Sequence, residues 1–128
     1  MTKNQFISIM FLMLFYSSTH LFSIHGEEVV NLQHIGNHDD RIEYNIPADM
    51  PEVVYYDSDE CEIIIVSDGF SSYYDVVIIR NTPYQTVIST QVSGYGDTID
   101  VSSLSSGNYT IVITSEYNNV FEGQFVII

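Results

Sequence analysis

From Glu52 to Ile127 the sequence breaks into seven short runs rich in Val, Ile, Tyr and Thr, bounded by Gly, Pro, Asn, Asp and Ser. The runs are EVVYY (Glu52 to Tyr56), CEIIIV (Cys61 to Val66), YDVVIIR (Tyr74 to Arg80), QTVISTQV (Gln85 to Val92), TIDV (Thr98 to Val101), YTIVIT (Tyr109 to Thr114) and VFEGQFVI (Val120 to Ile127). Branched and aromatic residues between turn formers read as strands. No segment carries a helical stripe long enough for the crossover that parallel strands need. Strands this short, joined by connections of about two to eight residues, pack as antiparallel layers. The expected architecture is all-β, an immunoglobulin-like antiparallel β-sandwich of about seven strands.

Alternation assigns the faces. In YTIVIT it sets Tyr109, Ile111 and Ile113 on one side, expected to be the buried one, and Thr110, Val112 and Thr114 on the other. In the last run Phe121, Gly123, Phe125 and Ile127 share a face, and Gly123 leaves room there for a neighbouring ring or a bulge. The continuous runs IIIV and VVII read as central strands. EYNN (Glu116 to Asn119) is the hairpin turn before the last strand, because asparagine tolerates left-handed backbone.

The serine-rich stretch SSLSSG, Ser102 to Gly107, lies between two strands and reads as a corner. Leu104 tucks beneath the sandwich, Gly107 supplies a positive backbone angle, and Tyr109 opens the next strand facing inward.

The N-terminus sets the compartment. Lys3 is the sole charge before Glu27, and FISIMFLMLFY (Phe6 to Tyr16) is an apolar run followed by the polar SSTH. This reads as a signal peptide, too short for the roughly 20 residues of a membrane span. The expected organisation is a signal peptide at 1–26, with cleavage after Ser23 or Gly26, an N-terminal arm or edge strand at 27–45, and the β-sandwich at 46–128. An uncleaved leader would tether the domain to the bilayer; once it is cleaved, no stable membrane span is expected. No cysteine near the cleavage region offers a lipid anchor. All 17 acidic residues follow the leader, against only Arg41 and Arg80 of the basic ones. Such a surface repels phosphate backbones and anionic headgroups, which excludes nucleic acid as a partner. Cys61 is the single cysteine, so no internal disulfide exists and the core must supply the stability.

Catalytic and metal chemistry finds few footholds. A serine nucleophile needs an oriented histidine, and beyond the leader only His34 and His38 are available. GFSSY (Gly69 to Tyr73) lacks the closing glycine of a nucleophile elbow and precedes a strand. His34 and His38 have the i, i+4 spacing of a helical metal pair, yet Gly36 and Asn37 between them argue against a helix. Asp57, Asp59 and Glu60 offer calcium hard oxygens but without the spacing of an EF-hand loop, so the plainer reading is a hydrophilic hairpin turn. Cys61 reads as a small buried residue opening a strand, since Asp59, Glu60 and Glu62 are the opposite of the electropositive setting a thiolate wants. Acid pairs are uninformative among so many carboxylates. Tyr55-Tyr56 and Tyr73-Tyr74 each place one ring inward, and their outward partners with Tyr84 and Tyr95 form a potential stacking surface. No catalytic, cofactor-binding or metal residue is assigned, and no enzymatic activity is expected.

IPADMPEVVYY, the strands CEIIIV and YDVVIIR, and the closing IDVSSLSSGNYTIVITSEYNNVFEGQFVI carry a family likeness. The segment Ile46 to Ile128 resembles the small secreted Bacteroidetes proteins of domain-of-unknown-function family 3244. The resemblance implies a signal peptide and one immunoglobulin-like sandwich, with Leu104, Gly107, Tyr109, Phe121, Gly123 and Phe125 on the family pattern. It implies no activity. The corner also resembles that of type IX secretion C-terminal sorting domains, although the chain ends QFVII without their basic closing segment. In such bacteria Asp97-Thr98-Ile99 fits a short O-glycosylation pattern at Thr98, and Asn108 to Thr110 formally fits an N-glycosylation acceptor.

These readings converge on an exported, monomeric, non-catalytic sandwich, in the periplasm, at the outer-membrane surface or outside the cell, that binds a protein or glycan partner. The alternatives are a structural or secretion-sorting module, or an enzyme or inhibitor acting through the loop ends. The last requires His34 and Asp57 or Asp59 to converge in one pocket.

Overall fold

The structure, a computed structural model, describes residues 26–36 and 46–128. The expected leader lies outside these residues except for Gly26, as do His38 and the rest of the segment 37–45. The described chain is all β, with nine strands: β1 (Glu27–Val29), β2 (Gln33–Gly36), β3 (Val53–Asp57), β4 (Glu62–Val66), β5 (Tyr73–Asn81), β6 (Tyr84–Ser93), β7 (Gly96–Asp100), β8 (Gly107–Ser115) and β9 (Val120–Ile127). They form an antiparallel four-stranded sheet, β1-β3-β4-β7, and an antiparallel five-stranded sheet, β2-β9-β8-β5-β6. The seven strands read between Glu52 and Ile127 are β3 to β9. CEIIIV and YDVVIIR are internal strands, as their continuous apolar runs demand.

Period-two burial builds the core. Val54 and Tyr56 on β3, Ile63 and Ile65 on β4, and Ile99 on β7 face Tyr74, Val76 and Ile78 on β5, Tyr109, Ile111 and Ile113 on β8, and Phe121 and Phe125 on β9. Full burial of one such Val, Ile or Phe contributes about 1.5–3 kcal/mol.

Connections divide between two ends of the sandwich. One, the corner end, carries the β3–β4, β5–β6 and β7–β8 connections. At this end the Tyr109 hydroxyl donates to the Ser105 carbonyl at 2.6 Å, the tyrosine-corner arrangement of immunoglobulin-like domains. Its ring stacks on Phe125 at 5.5 Å, and the Arg80 guanidinium lies 5.9 Å above it while donating to Ser105 Oγ. Leu104 packs half-buried against the core, and Gly107 has φ 156°. The serines are therefore a corner.

Residues 27–36 form a strap that runs from the corner end to the opposite end and changes sheets on the way. β1 pairs with β3, and β2 pairs with β9 across an irregularity between His34 and Gly36. Between them Val30 is buried in the core and donates its amide to the Val54 carbonyl at 2.8 Å, while Leu32 packs alongside. The room at Gly123 serves this strap, not a neighbouring ring: a Cβ there would lie 2.6 Å from Val30 Cγ1 and 3.0 Å from both the Asn31 carbonyl oxygen and Leu32 Cδ2. Cys61 also departs from expectation. It sits half-buried in the turn before β4, at φ 54°, with its thiol 3.6 Å from the Ser58 carbonyl.

The corner and the strap can each be tested by stability. Leu104→Ala should cost about 2 kcal/mol and Tyr109→Phe about 1 kcal/mol in urea unfolding, whereas Ser103→Ala and Ser106→Ala should stay within about 0.5 kcal/mol of wild type; the reverse ranking would refute the corner. Gly123→Ala should cost about 1–3 kcal/mol through overpacking. In hydrogen exchange that loss should concentrate at Glu27–Gly36 and spare β5 and β8; uniform loss would contradict the local contact.

Candidate functional site

The end opposite the corner carries the β4–β5, β6–β7 and β8–β9 connections. Three short loops meet there and tie to one another through backbone and serine groups. Gly69 N donates to the Gly94 carbonyl and Gly94 N to the Ser72 carbonyl, both at 2.9 Å. The loops approach so closely that a Cβ at Gly94 would fall 1.6 Å from the Ser71 carbonyl oxygen. Ser71 is fully buried, donates to the Tyr73 carbonyl at 2.6 Å and accepts from the Glu116 amide at 3.1 Å. GFSSY thus uses its serines as ties between loops.

A buried polar cluster lies below. Asp49, only 3% exposed, accepts from the Asn119 side-chain amide at 3.0 Å and from the Ser115 hydroxyl. The Tyr74 hydroxyl donates to the Asp49 carbonyl at 2.7 Å. Burial pushes the Tyr74 phenol up from its ordinary range. Asn118 takes φ 65° in the β8–β9 turn, as the EYNN reading requires. The proline-containing lead-in is thereby pinned to this turn, since a buried carboxylate is tolerated only when its oxygens are satisfied.

On this base stand four exposed aromatic rings. Phe70 is 56% exposed, Tyr95 76%, Tyr117 54% and Tyr73 36%. Phe70 and Tyr117 meet edge to face with centroids 6.4 Å apart. The Tyr95 ring lies over Gly69, where a Cβ would come within 2.3 Å of it; at φ 85° this position suits only glycine. Asp68 caps the Phe70 amide at 3.0 Å, and Ser93 Oγ accepts from the Tyr95 amide at 3.1 Å. Rings on loops held this way lose little conformational freedom on contact with a partner.

Carboxylates surround them. Asp68, Asp97 and Glu116 lie in or beside the same loops, and Arg80, the only Lys or Arg among the described residues, is engaged at the corner end. Glu116 Oε2 accepts from the Ser72 amide at 3.0 Å and from the Ser72 hydroxyl. The hydroxyl of Ser72, then that of Tyr117, then the Ser72 amide hold the Glu116 carboxyl below its usual range. The same contact pushes the Tyr117 phenol up, through the hydrogen bond and then the charge of Glu116.

The other sequence candidates do not assemble. Asp57 Oδ1 accepts from the Asp59 and Glu60 amides at 2.9 and 3.2 Å, so its carboxylate caps the β3–β4 turn at the corner end. Among the described residues no three His, Cys, Asp or Glu side chains come together as a metal-binding group. His34 lies in β2 with its ring 5.5 Å from Phe121, towards the opposite end from Asp57 and Asp59. Tyr84 and Tyr95 cap opposite ends of β6 and form no common surface. Thr98 is exposed on the edge strand β7. Phe70 and Tyr117 lie outside every alternating run of the sequence, and the signal each carries is that of a large aromatic residue inside a turn.

Glu116 yields a pH prediction. With its folded pKa lowered, the tie to Ser72 contributes above the ordinary glutamate value of about 4.3 and is lost as pH falls through the lower folded value. An NMR titration should place the Glu116 midpoint below that of a free glutamate, and Ser72→Ala should raise it. A midpoint unmoved by that substitution would remove the tie.

No protein-family model matches the sequence, and no curated protein matches it. Among solved structures, the chain is similar to a DUF3244 family protein with an immunoglobulin-like β-sandwich fold from Bacteroides vulgatus ATCC 8482. The TM-score is 0.59 at 16% sequence identity, over 78% of this chain and 97% of that one. The resemblance read from the residues is thus met by a likeness of fold: the chain is an immunoglobulin-like β-sandwich similar to a protein of unknown function.

Proposed function

We propose that the protein is an exported, non-catalytic binding module that engages a protein partner through the aromatic loop end. The observation that carries this reading is the group formed by Phe70, Tyr95 and Tyr117 on the loops and Tyr73 at the start of β5, solvent-exposed above buried polar contacts that fix the loops from beneath. Aromatic side chains exposed on rigid loops supply large contact area at low entropic cost. The partner presents basic groups, which pair with the ring faces and with the carboxylates of Asp68, Asp97 and Glu116. A glycan is the second reading, favoured by the flat faces of the same rings.

The test is retention of envelope and culture-medium proteins by the mature domain, beside the variant Phe70→Ala/Tyr95→Ala/Tyr117→Ala. Wild type should retain a partner, more weakly at high salt, and the variant should bind about tenfold less or worse while its unfolding midpoint stays close to wild type. Equal retention by both proteins, or none by wild type, would sink the proposal. Salt-insensitive retention released by free sugar would move the assignment to a glycan.

A further inference from the structure

The strap, residues 27–36, completes the sandwich without belonging to its seven-stranded body. It supplies the outermost strand next to β3 in one sheet and next to β9 in the other. It therefore covers the open seam between those two edges. Its hold is local. All three side chains of β1 are exposed, and Val30 is the one strap residue in the buried core, with Leu32 and the His34 ring packed beside it. To either side the seam stays open, as a cleft of about 560 Å³ bordered by Tyr56, Val126 and Ile127 and another of about 310 Å³ bordered by Asn31, Glu122 and Gln124. Segments held by few buried contacts open at a small fraction of the global unfolding free energy.

The connection back to the body does not dictate which body receives the strap. Gly36 lies opposite Val120, and Asp49 is bound to Ser115 and Asn119, so the strap ends and the body begins at the same end of the sandwich. The ten peptide steps from Gly36 to Ile46 span up to about 33–36 Å when extended, enough to reach the equivalent seam of a neighbour. A second copy offers an identical seam, with the same Gly123 notch for Val30.

We propose that the strap is exchanged between copies of this chain: residues 27–36 of one copy leave their own seam and add to β3 and β9 of another. The partner surface is the β3–β9 seam, and the partner is a second copy. The recognition chemistry is strand addition, in which backbone pairing supplies the affinity and Val30 in its notch fixes the register. Exchange of an identical element costs little, because the strand pairing and side-chain burial given up in one copy are made again in the other. This inference rests on the strap alone and stands apart from the aromatic end.

Register makes it testable, since Val29 lies directly opposite Tyr55. Two mature chains are prepared in a Cys61→Ser background, one carrying Val29→Cys and the other Tyr55→Cys. Neither can form a disulfide within itself. Facing residues of antiparallel strands have Cβ atoms about 4.5–5.5 Å apart, close to disulfide geometry. The two chains, each at about 10 μM, are mixed under mild oxidation. The control replaces Tyr55→Cys by Thr86→Cys, an exposed position on the edge strand β6. Exchange sets the two thiols at an effective concentration of about millimolar, so the mixed disulfide should form roughly a hundredfold faster than in the control pair. Peptide mapping should place it between residues 29 and 55. Cross-linking at the control rate, with both variants folded by circular dichroism, would overturn the proposal.

Discussion

No disulfide joins the two sheets, because Cys61 is the only cysteine of the chain. The sandwich is held by the contact between its inner faces. Tyr74, Val76 and Ile78 on β5 and Tyr109, Ile111 and Ile113 on β8 are fully buried, and both strands are internal to the five-stranded sheet. A one-residue slip of β8 would turn Thr110, Val112 and Thr114 inwards and expose the whole stripe. Every loop position, including the aromatic rings, is therefore set by a register that the core enforces.

The two ends then handle their polar groups differently. At the corner end Tyr109 satisfies the Ser105 carbonyl and sits beneath Arg80, so the one described arginine is enclosed in structural contacts. At the opposite end the buried Asp49 organises Ser115, Asn119 and Tyr74, and the surface above it carries carboxylates and exposed rings. The chemical asymmetry arises from where the cation is placed. With Arg80 at the corner, no described lysine or arginine lies in the aromatic loops to neutralise Asp68, Asp97 or Glu116.

Much of this was legible in the residues. Runs such as YTIVIT and VFEGQFVI state strand, face and depth at once, because alternation and burial are the same property in a two-layer fold. Leu104, Gly107 and Tyr109 announced the corner. What escaped depended on distant partners. Gly123 declared that something approached its strand, but nothing local could say that the visitor was Val30, more than ninety residues earlier in the sequence. Tyr84 and Tyr95 looked equivalent as tyrosines in turns, and only the pairing of β5 with β6 separates them to opposite ends. Phe70 and Tyr117 became a pair through the meeting of two loops that are distant in sequence. Cys61 looked like the start of a strand because it leads into the run EIIIV, while its left-handed backbone is a demand of the turn.

The strap also bears on the aromatic end. It runs towards that end and reaches Gly36 beside Val120, immediately after the β8–β9 turn that presents Tyr117. A segment passing between copies would leave one molecule and enter another at the level of their aromatic loops. Copies joined by the strap would consequently hold their aromatic ends close together, which raises the effective concentration of the second site for any partner with repeated basic groups. On the proposed binding role, a small surface of four rings and a few carboxylates gains most from such pairing, because avidity multiplies an affinity that one small surface cannot reach alone.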